Sequence, residues 1–416
     1  LAGSKKLTFT VTYLSGKNAA GSALLTNQLN VFLGNSTKTV SYNSAQYANV
    51  HRVVLDVSEL NAQTSFAGEA LQIQAQNYSG QGLKDVKIKI SPIYVLPDSG
   101  AVHDFSKTAV EFVKGFTAGW NLGNTFENLD ASKVGNITPT EAETMKWNPV
   151  TTKAMIDTVK AQGFNVVRIP CTWMMFVSEQ NGVYTIDNAY LNRVQEVVDY
   201  CYDNDMYVIL NMHHDDNEWL DITKTGDAWN AVKNEYAQLW TQIANRFKTY
   251  DARLILEGAN EIIARSPSGD DWWGNDNSYF TRLNELHALF VNTVRGTGGN
   301  NAQRYLMIPT YGAQFYSHQM SKLVIPNNDS RVIVDVHWYT SGTDVEVLEN
   351  TFSLFDSYFI DKNIAMVLGE CGLLNSESNE KKAEWGDAFI GLATQHGIKC
   401  LLWDDGGKYK ILNRSA

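Results

Sequence analysis

The chain has 416 residues, of which 44% are hydrophobic and 19% charged, and its formal net charge is −11 at pH 7. This composition is ample for a large core, so we expect a soluble globular protein. The acidic balance argues against nucleic acid or an anionic membrane as a partner, and no apolar run reaches the roughly 18 residues of a membrane helix. Because the first residue is Leu rather than Met, we infer a processed or engineered start. We expect a secreted or cell-surface protein whose signal segment is not present in this chain.

Composition divides the chain into two parts. Residues 1–100 carry 8 Lys and Arg against 5 Asp and Glu, whereas the remainder carries 26 against 40, and all 11 Trp lie from Trp120 onward. We therefore predict an N-terminal module over residues 1–97, a linker over 98–103 and a larger domain over 104–416. The four cysteines show no CxxC spacing, and we expect them to be free or to form at most one pair.

Apolar and polar residues alternate in the N-terminal module, for example at Leu7, Phe9, Val11 and Tyr13. Clusters of Gly, Asn and Ser separate the alternating segments, which is typical of strands joined by turns. The pattern predicts a small all-β sandwich, either jelly-roll or Ig-like. Just after the linker, Asp104 is predicted to cap a short helix.

Apolar strands alternate with amphipathic helices through the rest of the chain. Eight such strands predict a (β/α)8 TIM barrel. No eighth helix is evident before the last residue, so we expect either a truncated chain or another element that closes the barrel. The predicted strands lie near Gly119–Leu122, Asn165–Ile169, Tyr207–Met212, Leu254–Ala259, Tyr305–Pro309, Val332–Val336, Ala365–Gly369 and Cys400–Trp403.

Nearly every predicted strand ends on a polar or aromatic residue, at the edge where barrels of this kind hold their chemistry. Two of these residues are glutamates: Glu261 follows the fourth strand and Glu370 ends the seventh. Two carboxylates at strand ends suggest an acid and a nucleophile. The other candidates are Asn121, Asn124, Arg168, His213, His214, Asn260, His337, Tyr339 and Trp403.

Seven motifs, in chain order, resemble those of glycoside hydrolase family 5, the retaining β-glycanases that include many endoglucanases. They are Gly119-Trp-Asn-Leu-Gly-Asn-Thr125, Phe164-Asn-Val-Val-Arg-Ile-Pro170, Asn211-Met-His-His214, Asn260-Glu261, His337-Trp-Tyr339, Gly369-Glu370 and Leu402-Trp403. The resemblance covers about residues 104–413. Trp147-Asn-Pro149 and Thr151-Thr152 are similar to the subgroup of endo-β-1,4-glucanases that also contains xyloglucanases and mixed-linkage glucanases.

The resemblance implies a role for each candidate. Glu261 would be the acid/base and Glu370 the nucleophile, with Arg168 favouring the ionised nucleophile and Tyr339 orienting it. Asn260 would bind the sugar 2-hydroxyl, and Trp403 would offer a flat face to a pyranose ring. The remaining substrate-binding residues would be Asn124, His213, His214 and His337.

The expected activity is retaining, endo-acting hydrolysis of β-1,4-glucosidic bonds in cellulose-type polysaccharides: soluble cellulose, mixed-linkage glucan or xyloglucan. We expect a monomer that uses no metal and no cofactor. The N-terminal module could bind carbohydrate through Tyr42, Tyr47 or Tyr78, or could be a spacer.

Three alternatives stay open. An endo-β-1,4-mannanase could use the same scaffold, since both sugars present equatorial linkages to the same catalytic pair. Asp215 and Asp216, beside the paired histidines, would suit a metal-dependent hydrolase, and a glycan-binding protein without catalysis is the third. The chain also departs from the family pattern, with Ile262 where Pro usually follows the acid/base and Cys371 where an aromatic residue usually follows the nucleophile. These changes leave both carboxylates in place and affect the expected shape of the subsites.

Overall fold

A computed structural model describes residues 103–266 and 269–414 with their side chains, together with the backbone of seven strands before residue 103. The chain forms two compact units, Leu1–Val102 and His103–Ala416. The predicted linker over residues 98–103 lies almost wholly outside the described residues, so its role stays a prediction. None of the helices in the described part of the chain combines the length and the apolar character that a bilayer span requires.

The described elements of the first unit are strands that pair into two antiparallel sheets. In one sheet β1 pairs with β4, β6 and β7, and in the other β2 pairs with β3 and β5. The sandwich prediction requires the two sheets to pack face to face, and the side chains that decide this lie outside the described residues, as do those of Tyr42, Tyr47 and Tyr78. The strands are β1 (Lys5–Asn18), β2 (Thr26–Leu33), β3 (Ser36–Asn43), β4 (Val50–Asp56), β5 (Leu71–Asn77), β6 (Leu83–Ile90) and β7 (Tyr94–Pro97).

The second unit contains a closed barrel of eight parallel strands, which confirms the predicted barrel. Most of these strands are short, apolar and fully buried, because helices cover the outside and side chains fill the inside. In barrel order the strands are β8 (Gly119–Leu122), β9 (Val166–Ile169), β12 (Tyr207–Asn211), β13 (Leu254–Glu257), β14 (Leu306–Pro309), β15 (Val332–His337), β16 (Ala365–Cys371) and β17 (Lys399–Asp404). A hairpin of β10 (Val177–Gln180) and β11 (Val183–Ile186) lies outside the barrel.

Helices follow the barrel strands as far as β16. Most begin at a polar cap, and the longer ones turn an apolar stripe toward the barrel, as in α4, where Val194, Val197 and Val198 are buried. The helices are α1 (Ala109–Val113), α2 (Pro139–Glu143), α3 (Lys153–Ala161), α4 (Asn188–Asp203), α5 (Gly226–Arg246), α6 (Asn277–Gly296), α7 (Ser317–Met320), α8 (Val345–Tyr358), α9 (Asn379–Trp385) and α10 (Gly391–Gln395).

Helix α1 lies against the end of the barrel opposite the predicted site. Its Phe112 ring stacks on Tyr305 with 3.7 Å between ring centroids and belongs to the core cluster that fills this end. The predicted cap was wrong. Thr108 caps the helix through a capping box with Glu111, whereas Asp104 accepts hydrogen bonds from Ser106.

Strand pairing closes the barrel without an eighth helix. β17 pairs with β8 from Leu401 opposite Gly119 to Asp404 opposite Leu122, and no helix follows β17 among the described residues. Instead, the Arg414 side chain donates a hydrogen bond of 2.7 Å to the carbonyl of Gly123 and lies 3.2 Å from the carboxylate of Asp404. The segment after β17 is thereby attached to the first and last barrel strands.

Candidate active site

Arg168 lies at the centre of the site, fully buried near the end of β9. Its guanidinium donates two hydrogen bonds of 2.7 Å to Glu257 on β13 and one of 2.6 Å to Glu370 on β16. It also donates to the side-chain oxygens of Asn121 at 3.1 Å and Asn260 at 2.8 Å. Since parallel strands end at the same edge of the barrel, one guanidinium can bind residues from three segments that are distant in sequence.

A β-bulge at Gly369 sets the direction of Glu370. Val336 pairs with Leu368, but His337 pairs with Glu370, so one residue is extra on β16. The amide of Gly369 donates to a carboxylate oxygen of Asp335 at 2.9 Å, and a Cβ at this position would lie only 2.1 Å from that oxygen. Only glycine permits this close approach.

The two oxygens of the Glu370 carboxylate have separate donors. Arg168 binds one oxygen at 2.6 Å, and the hydroxyl of Tyr339 donates to the other at 2.8 Å. The side chain of Glu370 is only 7% exposed. Hydrogen bonds from two buried donors, one of them charged, fix the direction of this carboxylate.

Glu261 lies beside Glu370 but in a different environment. Its side chain is 27% exposed, and its carboxylate is 2.7 Å from Nδ1 of His337. Ligand atoms of Glu261, His337 and Glu370 all lie within 4.8 Å of one another, so the two carboxyl groups are neighbours. One glutamate is thus enclosed and bound to a cation, and the other is open to incoming molecules.

His337 is held between carboxylates on both of its ring nitrogens. Nδ1 is 2.7 Å from Glu261 and Nε2 is 3.0 Å from Asp335, while Glu370 lies 3.7 Å away. Burial alone would lower the pKa of His337, but the charges of Glu370 and Asp335 and the hydrogen bonds of the ring raise this pKa well above its ordinary value. His337 is therefore an imidazolium that donates to both partners.

The other two histidines of the site are neutral. Burial lowers the pKa of His213 well below its ordinary value and that of His214 to about 4, and the positive charge of Arg168 adds to both shifts. The amide of Asn211 donates to Nδ1 of His213 at 3.0 Å, which leaves Nε2–H as a donor for a ligand.

Trp403 on β17 lies at the other side of the site. Its ring is parallel to that of His213, with 6.0 Å between centroids. A Cβ at Gly123 would lie 2.8 Å from the indole, so glycine at this position leaves room for the ring. The half-buried indole can present a flat apolar surface beside His213.

The structure brings together most of the predicted site residues. Asn124 is the exception, since none of its hydrogen bonds reaches another of them. It adopts a left-handed conformation in the turn after β8, and its side chain accepts from Lys146 at 3.1 Å. Its contact with substrate stays a prediction.

The sequence analysis missed two buried acids, Glu257 and Asp335. Both are fully buried inside barrel strands, and both bind members of the site. The available signal was a carboxylate within an otherwise apolar strand, because charged residues are almost never fully buried unless paired.

The acids beside the histidine pair have partners within the protein. Asp215 accepts hydrogen bonds from the amides of Trp173 and Met174 and from the Trp219 indole. Asp216 pairs with Arg265 at 2.7 Å. Among the described residues, the group with metal-ligand spacing is Glu261, His337 and Glu370, which are already bound to one another.

A parallel barrel with two adjacent glutamates at its strand ends, one bound by a guanidinium and one by an imidazolium, defines a glycoside hydrolase that works with a pair of carboxyl groups. A family model described as cellulase, glycosyl hydrolase family 5, matches residues 128–408. The chain belongs to this family.

Similar proteins cover most of the second unit. The chain is 39% identical to Endoglucanase B of Clostridium cellulovorans over 72% of this chain and 68% of that protein. It is 37% identical to Endoglucanase B of Ruminococcus albus over 74% of this chain and 76% of that one. Among solved structures, a GH5-4 broad specificity endoglucanase from Ruminococcus champanellensis with bound cellotriose superposes with a TM-score of 0.69 at 38% identity, covering 74% of this chain and 94% of that one. A xyloglucan-specific endo-β-1,4-glucanase from a metagenomic library, in complex with cellotriose, gives 0.68 at 34% identity, with the same two coverages.

The charge state of His337 gives a testable prediction. The groups facing the ring are Asp335 on β15, Glu261 after β13 and Glu370 on β16, opposed by Arg168 on β9. Asp335→Asn keeps the side-chain shape but removes one negative charge, so we expect the pKa of His337 to fall toward its ordinary value. Nitrogen NMR of the histidine side chains between pH 5 and 9, with His337→Gln for assignment, measures this.

A distant ion pair supplies the control. Asp356 lies 2.6 Å from His396, so Asp356→Asn should move the His396 titration and leave that of His337 in place. Because the folded pKa of His337 is raised, its contribution to stability is complete below about pH 6.5 and is lost as pH rises through the folded pKa. In Asp335→Asn the unfolding free energy should therefore fall less as the pH rises. An unchanged His337 titration in Asp335→Asn would contradict the assignment.

Proposed function

We propose that this chain is a retaining, endo-acting glycoside hydrolase that cleaves β-1,4-glucosidic bonds in cellulose-type polysaccharides. The observation that supports this best is the spacing of the two glutamates, whose nearest ligand oxygens lie within 4.8 Å. Retaining glycosidases hold their carboxyl groups about 5–5.5 Å apart, whereas inverting ones leave roughly 6.5–9.5 Å for a water molecule. The close spacing favours direct attack by one carboxylate on the sugar.

In the first step Glu370 attacks the anomeric carbon while Glu261 donates a proton to the leaving oxygen. Arg168 and Tyr339 occupy both oxygens of Glu370 at 2.6 and 2.8 Å, which fixes the direction of attack. Two carboxylates this close repel each other, so the site accommodates one negative charge more readily than two. The first step requires Glu370 as the carboxylate and Glu261 as the acid.

In the second step Glu261 takes a proton from water, which then attacks the glycosyl ester. Ester formation removes the negative charge of Glu370, and the His337 imidazolium at 2.7 Å then stabilises the Glu261 carboxylate. The same residue can thus act first as an acid and then as a base. Two neutral side chains supply donors for sugar hydroxyls. Asn260 accepts a hydrogen bond from Arg168, and His213 is hydrogen-bonded to Asn211.

The names of the similar proteins favour a glucan as substrate. Both solved structures described above contain cellotriose; one is described as a broad specificity endoglucanase and the other as a xyloglucan-specific endo-β-1,4-glucanase. We propose that this chain belongs with that subgroup and accepts soluble cellulose, mixed-linkage glucan or xyloglucan.

Because such polymers do not cross membranes, we propose that the protein acts outside the cell as a secreted or surface protein, and as a monomer. We propose further that residues 1–97 form a sandwich module that binds carbohydrate or acts as a spacer.

Azide rescue separates the two proposed roles. Glu261→Ala removes protonation of the leaving group, worth roughly 10² to 10⁴ in rate. An aryl β-cellobioside with an activated phenolate needs little protonation, so the glycosyl-enzyme should still form, and added azide should release the β-azide. Glu370→Ala cannot form that intermediate, and azide in the vacated space should give the α-azide by a single inversion. The anomeric configuration is measured by proton NMR of the products.

Glu384→Ala is the matched control, since this glutamate is exposed on α9, and it should behave as the unaltered protein does. Opposite configurations from the two site variants support the assignment. The same configuration from both variants, or rescue of neither in folded protein, would contradict the assignment of Glu261 and Glu370 to these roles.

A panel of polysaccharides tests the proposed substrate class. We expect release of reducing ends from carboxymethylcellulose, mixed-linkage glucan and xyloglucan, with much less from xylan and mannan. The physical reason for mannan is the sugar 2-hydroxyl, which is equatorial in glucose and axial in mannose, and for xylan it is the absence of the C6 hydroxymethyl group. Mannan as the best substrate would replace the glucanase proposal with the mannanase alternative, and binding without cleavage of any polymer would favour a non-catalytic protein.

A shortened chain beginning at His103 tests the proposed division of labour. All the site residues lie in the second unit, so this chain should keep the kcat of the full chain on cello-oligosaccharides. Circular dichroism establishes that it folds. Loss of activity only on insoluble cellulose would indicate a binding module, equal activity on both would indicate a spacer, and a folded but inactive barrel would contradict the proposal.

A further inference from the structure

Two of the four cysteines lie on neighbouring barrel strands. Cys371 is the last residue of β16 and is fully buried, whereas Cys400 is the second residue of β17 and is half-buried. The two strands pair in parallel, with Leu368 opposite Cys400 and Cys371 opposite Leu402. Both thiols are free, and neither has a role in the proposed hydrolysis.

Both thiols face the outer side of the barrel. Cys371 belongs to the hydrophobic cluster between these strands and the helices that cover them, and Cys400 packs against the same cluster. Phe389 and Leu392 are other members of this cluster. Side chains of successive residues in a strand point to opposite faces, so Glu370 points into the mouth of the barrel and Cys371 points away from it. The two thiols therefore lie behind the nucleophile and outside the site.

The Cys371 thiol reaches across to β17. Its Sγ lies 3.6 Å from the carbonyl oxygen of Leu401, to which it donates, and it is also hydrogen-bonded to the thiol of Cys400. The contact between the two sulfur atoms shows that the side chains point toward each other, as a disulfide requires. Neighbouring strands lie roughly 4.8 Å apart, which is within the range of separations that a disulfide spans.

We propose that Cys371 and Cys400 form a dithiol site that a small disulfide, such as oxidised glutathione, converts to a disulfide bond. The bond joins β16 to β17 and closes a loop over residues 372–399, which contain α9 and α10. A cross-link of this kind stabilises a fold chiefly by restricting the unfolded chain. The cross-link and its effect on unfolding are measured without any substrate, so the proposal does not depend on the proposed function.

The exchange has two steps. Cys400 is the thiol closer to solvent, and its thiolate attacks one sulfur of oxidised glutathione, breaks that S–S bond and releases one glutathione thiolate. The Cys371 thiolate then attacks the Cys400 sulfur of the mixed disulfide and releases the second glutathione. The cysteine pair loses two electrons and two protons, and one oxidised glutathione becomes two glutathione thiols. The hydrogen bond with Cys400 and burial raise the pKa of Cys371 well above its ordinary value, so the second step is the slow one.

Treatment of the whole chain with oxidised glutathione, at about pH 8.5 where an ordinary thiol is half ionised, tests the proposal. Thiol titration in denaturant should show a fall from four free thiols to two, and non-reducing peptide mapping should find tryptic peptides 363–381 and 400–408 joined. The midpoint of thermal unfolding should rise by about 5 °C or more and return after reduction with dithiothreitol. Cys171 and Cys201 are fully buried and should remain thiols.

Cys400→Ser is the matched control, because it removes one thiol from a half-buried position and leaves Cys371 without a partner for a disulfide. It should form no cross-link, and its unfolding midpoint should not change on the same treatment. Cys371→Ser should instead keep glutathione on Cys400, because no second thiol displaces it. Four remaining thiols in the unaltered protein, glutathione retained on its Cys400, or an equal rise of the midpoint in Cys400→Ser would overturn the proposal.

Discussion

The site depends on one buried cation. Arg168 is fully buried, and transferring such a charge from water is costly unless every donor finds a partner. Its five hydrogen bonds reach Glu257, Glu370, Asn121 and Asn260, which come from three other strands or their ends. The desolvation cost explains why the network is rigid, since a displaced partner would leave charge unpaired inside the barrel. The hydrogen bonds of Arg168 thus fix the direction of Glu370 and stabilise the barrel at the same time.

The wider arrangement balances charges rather than pairing them one to one. Two cations, Arg168 and His337, face four acids. Glu257 and Asp335 lie below, closed to solvent, and Glu370 and Glu261 lie above. The lower acids hold the cations in place, so that the cations can act on the upper pair. The three histidines show how local this control is, because burial keeps His213 and His214 neutral while neighbouring carboxylates keep His337 charged.

The parts that the sequence predicted are those with a local signal. Each barrel strand is a short apolar run followed by a polar residue, so the strands and the catalytic candidates could be located from spacing alone. Ile262 and Cys371, which depart from the family pattern, are buried next to the two glutamates in sequence. The parts that it did not predict depend on contacts distant in sequence. The bulge at Gly369 exists because a carboxylate 34 residues away occupies the space of a Cβ, and pairing of β17 with β8 closes the barrel. The helix cap was misplaced because Asp104 and Thr108 are both of a residue type that caps helices and lie only four positions apart.

The partners of Arg168 are all anchored on strands or at strand ends, whereas the loops beyond them lie outside this network. Insertions or exchanges in those loops can therefore alter which polymer is held without disturbing the charges that cleave it. Proteins with this architecture can therefore change their substrate preference one loop at a time while the catalytic residues stay the same. Changes that raise thermal stability can instead be made in the outer helices, because these helices can change while the loops that determine specificity stay the same.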